Sequence, residues 1–400
     1  MSAVRLAGLR TAQVKPAGLI LCTLAALAEG FDSQSMGVAA PRLIGEFGLT
    51  PSQFGLVFSA ATAGLSVGAF LGGRAADHWG RSRALGVSLL VFGVFSLLTA
   101  FTPGFTALLY IRFLTGLGLG GAMPNFITLA AESVSTKRRV TAVALITAAI
   151  PLGGAVSGVV ALSLGVAGNW RYIFYVGGAV PIVAALMAFI MVRDPPPQHS
   201  DGSVQTEAMP FRQALFGSRS RITALLWMAF FLTHLVLFSL LNWLPSLSVG
   251  LGLAREESGW AAILFNVGGA LGGALVSVLD GINRRLMVLL MYTGMLVALA
   301  ALALLGSHGL VLFIAAIFFA GLFTIGGQII LYGLAALSYP AAARGTGVGI
   351  ALALGRLGAV FGPALIGVSL AGGLSSGGVL LLVLPFALGG GLLTRALAER

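Results

Sequence analysis

The sequence predicts an all-α membrane protein in which twelve transmembrane helices form two pseudo-symmetric halves of six helices each. Of the 400 residues, 58% are hydrophobic and only 9% are charged, and the mean hydropathy is +1.01. Soluble domains carry about 25% charged residues, so a soluble core does not account for this much apolar surface. Roughly 20 apolar residues cross the hydrocarbon core of a bilayer, and the chain contains a succession of such runs separated by short polar breaks.

The apolar runs predict twelve membrane spans with one long break between them. The break at residues 193–220 follows the sixth span and is rich in Pro, Ser, Gly and charged residues, so we expect a cytoplasmic linker there. The chain then divides into a first half at residues 1–192 and a second half at residues 221–400. The predicted spans lie near residues 17–40, 53–73, 83–101, 105–130, 140–163, 170–192, 221–245, 257–279, 286–305, 309–335, 346–370 and 378–396.

The basic residues predict the orientation of the chain in the membrane. Because the number of spans is even, both termini lie on one side. Of the 23 Lys and Arg residues, eighteen fall in segments on that side, and Arg42, Arg171 and Arg255 fall in the opposite loops. Cytoplasmic loops are enriched in Lys and Arg, so both termini are predicted to be cytoplasmic. The remaining two arginines, Arg112 and Arg356, fall inside spans.

The net charge of +11 does not indicate a nucleic-acid partner, because the basic residues are distributed over short loops between apolar runs. Cys22 is the only cysteine and lies in an apolar run, so neither a disulfide framework nor a thiolate metal site is predicted.

No phosphate-binding loop, paired metal ligands or nucleophile constellation is present in the sequence, so we expect neither an enzyme nor a bound cofactor. The first apolar run is not predicted to be a cleavable signal peptide, because it carries two acids and eleven further runs follow it.

The two halves are related by an internal repeat. At an offset of 205 residues, Gly116 aligns with Gly321, Gly121 with Gly326 and Arg139 with Arg344; at an offset of 203, Asp77 and Arg81 align with Asp280 and Arg284. A parallel repeat of six helices is a plan used by membrane carriers, in which substrate binds near mid-membrane and the halves rock about it. The repeat therefore predicts a carrier.

The loop after span 2 carries a recognisable motif, Gly73-Arg-Ala-Ala-Asp77-His-Trp-Gly80-Arg81-Ser-Arg83. It resembles the G-x-x-x-D-x-x-G-R-x-R/K signature of the major facilitator superfamily. Glycine permits a tight turn and close helix approach, and Asp77 is placed to cap a helix or to pair with the basic residues. We interpret the motif as a conformational latch that joins the cytoplasmic ends of the halves in one state. The alternative is a turn with a positive-inside anchor.

Span 1 contains two acids, Glu29 and Asp32. Residues three apart share one helix face, and a charge at mid-membrane costs about 3 kcal/mol on insertion scales. Two neighbouring carboxylates repel each other, so one of them is expected to hold a proton. We predict a proton-coupling site at these residues. The alternative is that one or both lie near the membrane surface and mark the end of the helix.

Span 4 contains Arg112, and Glu132 lies at its cytoplasmic end. A guanidinium does not deprotonate usefully, so Arg112 needs an anion; Asp32, Glu29 and a substrate are the candidates. Glu132 lies close in sequence to the basic residues at 137–139, so a surface ion pair and a role in the latch are both open.

Span 11 contains Arg356, about ten residues from the cytoplasmic start of the span. At 1.5 Å per residue this depth is near mid-membrane. The second half has no buried acid to neutralise it, because Asp280 is at a loop and Glu256 and Glu257 lie outside the membrane interior. A buried guanidinium without a local partner favours an anionic substrate. The alternative is pairing across the halves with the acids of span 1.

Polar and aromatic residues in spans 7 and 10 complete the candidate site. His234 occupies the repeat position of Glu29 and is a candidate for proton transfer, although a hydrogen-bonded structural histidine is the more common finding in an apolar helix. Gln328 and Tyr332 are four residues apart and share a face, and Asn242 and Trp243 close span 7. Such groups suit an amphipathic aromatic ligand, and an aromatic belt facing lipid is the alternative.

Several segments resemble the aromatic acid:proton symporter family within the major facilitator superfamily. They are EGFDSQSMGVAAP in span 1, the loop motif, GAMPNFITLAAE in span 4, LLNWLP in span 7, GGQIILYGLA in span 10 and RGTGVGIALALGRLGAVFGP into span 11. The likeness is greatest to the branch that transports hydroxyphenylpropionates, which similarly has Glu at the position of Glu29. Many other relatives have Asp at that position. The resemblance implies coupling through Asp32, a loop-motif role for Asp77, and functions near the central pathway for Arg112 and Arg356.

The corresponding loop of the second half departs from the family motif. Gly273 is displaced from the expected position and Asn283 replaces a glycine, so a latch is not expected on that side.

The resemblance implies proton-coupled import of an aromatic carboxylate, such as a hydroxyphenylpropionate or a hydroxybenzoate, in bacteria that use it as a carbon source. An exporter of drugs or metabolites on the same fold is the alternative, and an orphan arginine in span 11 argues against it. A non-transporting receptor is not expected, because no sizeable soluble domain is attached. The expected partners are the small aromatic acid, protons and the lipid bilayer, and we expect a monomer in the bacterial inner membrane.

Overall fold

The computed structural model describes residues 16–135, 138–165, 169–191, 220–279, 283–306, 310–339 and 341–399. These residues form twelve long helices, which confirms the predicted number of spans, and one short 3₁₀ helix at Arg255–Glu257. The twelve are α1 (Pro16–Phe47), α2 (Pro51–Trp79), α3 (Arg81–Thr99), α4 (Phe105–Glu132), α5 (Arg139–Gly165), α6 (Arg171–Met191), α7 (Ser220–Gly250), α8 (Gly259–Val278), α9 (Arg284–Leu305), α10 (Leu310–Ser338), α11 (Ala341–Ala371) and α12 (Ser376–Ala398).

Apolar composition and local capping account for these helices. Eleven of the twelve are long and apolar enough to cross a membrane; the exception among the described helices is α1, which carries Glu29 and Asp32 in its middle. Thr50 begins α2 with a reciprocal capping box that includes Gln53, and Pro51 follows at the first helical position. Gly80, at φ 87°, ends α2 and lets α3 begin at the next residue.

The repeat is visible in the way that the helices pack. In the first half, a Cβ added at Gly64 of α2 would strike the backbone of Phe113 in α4, and in the second half the same is true of Gly268 in α8 and Phe318 in α10. Small residues let helix backbones approach closely in lipid, where dispersion contacts replace the hydrophobic effect. The two pairs are 204 and 205 residues apart along the chain. The predicted pseudo-symmetric architecture is therefore confirmed at the level of helix contacts.

The two halves meet closely at one end of the bundle. We call the end that carries Pro16 and Ala398 the inner end, and the opposite end the outer end. Near the outer end of α2, Gly55 packs against the backbone of α11, and the Ser59 hydroxyl donates to the carbonyl oxygen of Val360 at 2.6 Å. Close packing of small residues joins the halves along this outer seam.

A second part of the outer seam joins α5 to α8. Gly158 and Gly259 face each other so closely that a Cβ on either would lie within 2.7 Å of the carbonyl oxygen of the other. At the inner end the packing differs, since among the described residues no atom outside their own helix backbone lies within 4 Å of the place where a Cβ on Gly73 of α2 or Gly349 of α11 would sit. In the described part of the chain the halves are therefore packed closely at the outer end, with room beside these two helices at the inner end.

Some sequence predictions shift or fall outside the described residues. The seventh helix continues to Gly250, so Asn242 and Trp243 lie inside it and do not close it as expected. Of the predicted linker 193–220, only Ser220 is described, as the first residue of α7. Asp280, in the second-half loop, lies outside the described residues. The division into domains stays a prediction.

Candidate functional site

Asp32 and Arg112 form a buried ion pair within the first half. Arg112 Nη1 lies 3.0 Å from Asp32 Oδ1, and Nη2 lies 2.7 Å from Oδ2. Both side chains are 3% exposed. Paired N–H donors match the two carboxylate oxygens, which gives this arrangement its geometric specificity. Of the three anions that the sequence left open for Arg112, the structure selects Asp32.

Two further contacts hold this ion pair. The Ser96 hydroxyl of α3 donates to Asp32 Oδ1 at 3.3 Å, and the Arg112 guanidinium lies 5.9 Å from the ring centroid of Phe174 in α6. Arg112 Nε is buried and has no hydrogen-bond partner among the described residues. Sequence reasoning missed Ser96, because a lone serine in an apolar span carries no signal that it faces a carboxylate on another helix.

The ion pair borders a cavity at the junction of the halves. Asp32 and Arg112 form its polar wall, Phe58 and Phe238 contribute aromatic rings, and Asn242 contributes an amide. The rings come from α2 in the first half and α7 in the second, so a ligand held here contacts both halves. Mostly apolar lining with a few convergent polar groups is typical of a small-molecule site.

Glu29 lies one helical turn closer to the inner end than Asp32 and has a different environment. It is 6% exposed, and its Oε2 atom has no hydrogen-bond partner among the described residues. It forms no ion pair within 4 Å in that part of the chain, but it is in electrostatic range of Arg356. The structure therefore separates the two acids of α1, one satisfied within its own half and the other facing a cation of the opposite half.

Arg356 extends from α11 towards the first half. Its Nη2 atom lies 3.3 Å from the sulfur of Met123 in α4, and a thioether is a weak acceptor. No carboxylate of the described residues lies within ion-pair distance of this guanidinium. The direct cross-half ion pair considered from the sequence is therefore absent in this conformation of the described chain.

His234, Gln328 and Tyr332 form a cluster on the second-half side of the same space. His234 Nδ1 lies 2.9 Å from the Phe230 carbonyl oxygen, and Gln328 Nε2 lies 3.3 Å from His234 Nε2. The rings of Tyr332 and His234 meet edge to face at 6.2 Å. Arg356 is in electrostatic range of both His234 and Tyr332. The histidine is thus hydrogen-bonded in the structure, and its predicted part in proton transfer stays a prediction.

Trp243 occupies the outer seam. It is 1% exposed, its indole N–H donates to the carbonyl oxygen of Pro363 at 2.9 Å, and its ring lies 5.3 Å from that of Phe58. Unlike Asn242, Trp243 does not border the cavity among the described residues. Its contacts join the second half to α2, and its predicted part in substrate binding stays a prediction.

The loop motif lies at the inner end, where α2 passes into α3. Arg81 forms an ion pair with Glu132 at the end of α4, so Glu132 takes part in a surface ion pair with a residue of the motif. Asp77 is exposed and forms no ion pair within the described part of the chain. The same motif also contains Gly73, Gly80 and Arg83, which lie on either side of this contact in the sequence. Both members of the Arg81–Glu132 pair belong to the first half, so the latch between the halves stays a prediction.

Among the described residues, twelve long helices, eleven of them apolar enough to cross a membrane, enclose a few buried charged groups, which is the architecture of a polytopic membrane protein. The family model of the Major Facilitator Superfamily matches residues 22–363, and the chain belongs to this family. The family and the relatives below are transporters, so the protein is a transporter and not an enzyme.

The curated relatives include transporters of aromatic acids. The chain is 40% identical over 385 residues to a 3-(3-hydroxy-phenyl)propionate transporter of Escherichia coli, covering 95% of this chain and 93% of the relative. It is 33% identical to a gallate transporter of Pseudomonas putida, covering 89% and 86%, and 31% identical to the 4-hydroxybenzoate transporter PcaK of Acinetobacter baylyi, covering 88% and 84%. The predicted family resemblance is confirmed.

Solved structures agree with the fold. A D-xylose-proton symporter superposes with a TM-score of 0.77 at 16% identity, covering 97% of both chains. A bacterial homologue of the human lysosomal transporter Spinster, in an inward-facing conformation, superposes with a TM-score of 0.73 at 17% identity, covering 96% of this chain and 98% of the other. These similarities confirm the major facilitator fold.

Proposed function

We propose that the protein imports an aromatic carboxylate together with protons. The observation that carries the proposal is Arg356, a guanidinium near mid-membrane whose described hydrogen bond goes to a thioether. A charge in this position is costly unless an anion neutralises it. The carboxylate of a substrate supplies that anion, and a guanidinium binds it through two parallel hydrogen bonds.

The aromatic part of the substrate fits the surroundings of Arg356. The rings of Phe230, His234 and Tyr332 lie together on the second-half side, and Phe58 and Phe238 border the cavity beside Asn242. Aromatic rings pack favourably against one another in offset or edge-to-face geometry. The relatives named above transport hydroxylated aromatic acids, which agrees with this chemistry.

Glu29 is the proposed carrier of the coupled proton. When a substrate carboxylate neutralises Arg356, Glu29 loses its electrostatic partner, and a buried carboxylate without a partner is costly to keep charged. Protonation of Glu29 then accompanies substrate binding. Asp32 is the second candidate, but its bidentate pair with Arg112 must break before it can accept a proton.

Transport proceeds by alternating access between the halves. With both termini in the cytoplasm, as the positive-inside rule predicts, the closed outer seam and the room at the inner end correspond to an inward-open state. Residues 1–192 and 221–400 act as the two rocking units, and residues 193–220 join them. A monomer in the bacterial inner membrane is sufficient for this cycle.

The test is uptake into proteoliposomes that contain the purified full-length protein. Radiolabelled 3-(3-hydroxyphenyl)propionate and 4-hydroxybenzoate are supplied outside, and a pH gradient, acidic outside, is imposed. We expect accumulation above the equilibrium level, which collapses when a protonophore is added. Uptake that ignores the gradient refutes proton coupling.

A matched cation tests the direction of charge selectivity. Uptake of the acid should be unaffected by an excess of a phenylalkylamine of the same length, because Arg356 repels a cation. Inhibition by the amine, together with amine transport that survives Arg356→Ala, supports an exporter of cationic compounds and contradicts the proposal.

A further inference from the structure

A groove between α9 and α12 lies on the membrane-exposed surface of the second half, away from the cavity between the halves. Its sides are the exposed side chains of Leu289 and Thr293 on α9 and of Leu388 and Leu392 on α12. The groove lies in the part of the bundle nearer to the inner end, because α9 begins and α12 ends there. Exposed leucines within a membrane span face hydrocarbon. The groove is therefore open to the lipids of the leaflet at the inner end.

Close packing and hydrogen bonds fix the floor of this groove. A Cβ added at Gly391 would lie 2.9 Å from the Cβ atom of Tyr292, so the absence of a side chain lets α12 approach α9 closely. The Tyr292 hydroxyl lies 3.0 Å from the Thr233 hydroxyl and 3.1 Å from the Thr394 hydroxyl. The tyrosine ring cannot rotate out to fill the groove without breaking both contacts.

The corresponding surface of the first half, between α3 and α6, is built differently. A Cβ added at Gly86 of α3 would lie 2.7 Å from the ring of Phe189, so this ring covers the helix surface there. Arg395 borders the groove of the second half, and the residue 205 positions earlier is Ile190, which is 77% exposed. The groove and its arginine are therefore not a consequence of the repeat.

Two guanidinium groups lie at the inner end of the groove. Arg395 Nε lies 3.2 Å from Glu399 Oε1, and Arg285 Nη2 donates to the Glu399 carbonyl oxygen at 3.1 Å. These contacts with one residue bring the two arginines together. Each contact uses a single nitrogen, and a guanidinium carries five N–H donors. Two guanidinium groups and one carboxylate leave a net positive charge beside an apolar groove.

We propose that this groove binds one anionic phospholipid, with the phosphate on Arg395 and Arg285 and an acyl chain between α9 and α12. Paired N–H donors of arginine match phosphate oxygens, and basic pockets between transmembrane helices on the cytoplasmic side bind anionic lipid headgroups. The inner end is the predicted cytoplasmic end. A soluble phosphate would use the arginines alone, whereas the apolar groove continues from them into the span. The occupant therefore carries both a phosphate and a hydrocarbon chain.

The wild-type protein provides the first test, because it does not depend on the folding of a variant. Full-length protein in detergent is titrated with phosphatidylglycerol and with phosphatidylcholine that carries the same acyl chains, and native mass spectrometry counts the bound lipids. We expect the first phosphatidylglycerol to bind at least about fivefold more tightly than phosphatidylcholine. Equal affinities overturn the proposed headgroup contact. Glycerophosphoglycerol, which lacks the chains, should not compete at equal concentration, and effective competition overturns the acyl-chain contact.

Two arginine variants locate the headgroup. Arg395→Gln and Arg285→Gln should each weaken phosphatidylglycerol binding about fivefold and leave phosphatidylcholine binding unchanged. They lie on different helices, so each checks the other. Arg139→Gln, at the exposed first residue of α5 in the opposite half, is the matched control and should bind as the wild type does. Wild-type affinity in both variants, or an equal loss in the control, overturns the site.

A filled groove tests the position of the chain. Thr293→Trp places a ring in the groove from its exposed side and should weaken phosphatidylglycerol binding at least about fivefold, because the ring replaces several methylene contacts. Val297→Trp is the control, since Val297 is 63% exposed on the same helix but does not border the groove. Equal binding by the two variants overturns the groove assignment. A lipid-free dimer that only Thr293→Trp dissociates assigns the groove to a second copy of the chain and overturns the lipid proposal.

Discussion

The two halves of the molecule share their helix packing but differ in their buried charges. The first half holds Asp32 and Arg112 as a bidentate pair, whereas the residues 205 positions later are Leu237 and Ile317, both buried and apolar. The second half instead holds Arg356, whose repeat position in the first half is Pro151. The two halves thus share their helix packing but not their buried charged residues. The first half neutralises Asp32 and Arg112 internally, whereas Arg356 of the second half and Glu29 of the first each depend on the opposite half.

This difference in buried charge indicates separate roles for Arg112 and Arg356. The charge of Arg112 is matched by Asp32 on a neighbouring helix, so a ligand must displace a carboxylate to reach it. Arg356 has a thioether neighbour and, at longer range, Glu29 of the opposite half. A ligand that binds between the halves is attracted most strongly by a charge that neither half has already neutralised. Its binding then also links the two halves electrostatically.

The largest expected effect follows from removing the unmatched cation. Arg356→Gln should reduce uptake of the aromatic acid at least about 100-fold, since a charge-assisted bidentate contact is lost. Thermal unfolding should change little, because Arg356 forms no ion pair with a described carboxylate and Glu29 can hold a proton once the positive charge is gone. The measurement is initial uptake rate in proteoliposomes. Arg284→Gln, at an exposed position of α9 in the same half, is the control and should transport normally.

The next effect concerns the matched pair of the first half. Asp32→Asn leaves Arg112 charged and buried, and removing one partner of a buried pair costs about 3–5 kcal/mol of stability. The double variant Asp32→Asn/Arg112→Gln should recover part of that loss. Thermal unfolding in detergent measures both. Equal stability of the single and double variants would show that the two side chains do not interact energetically.

A third effect separates binding from coupling at Glu29. In Glu29→Gln the side chain no longer exchanges a proton, so exchange of labelled for unlabelled acid across the membrane should continue while accumulation driven by the pH gradient is lost. Counterflow and gradient-driven uptake measure the two activities. Glu256→Gln, in the exposed 3₁₀ helix, should retain both. Gradient-driven accumulation by Glu29→Gln would move the proton site to Asp32.

The smallest effect is expected at the inner surface of the first half. The side chains of Arg81 and Glu132 are 42% and 43% exposed, and exposed ion pairs contribute about 0–1 kcal/mol. Glu132→Gln should therefore change the free energy of unfolding by less than about 1 kcal/mol. If the loop motif is a latch, the turnover rate should nevertheless fall, and an unchanged rate would favour the simple anchor.

Much of this architecture was predictable because lipid imposes strict rules on the chain. A spanning segment must satisfy its backbone internally and present apolar side chains over about 20 residues, so the twelve helices are evident from composition. The charged residues Glu29, Asp32, Arg112 and Arg356 stood out for the same reason, since each opposes the apolar environment around it. Ser96 and Met123 did not, because their residue types are ordinary in membrane helices.

By itself the sequence determined the twelve spans, the repeat, the family and the short set of intramembrane charges, because each of these follows from local composition or spacing. Only the tertiary structure decided which charges pair. Asp32 and Glu29 are three residues apart on one helix, yet one meets Arg112 and the other faces Arg356 of the opposite half. That outcome depends on helix rotation and on the way the halves close at the outer seam, and a linear pattern contains neither quantity.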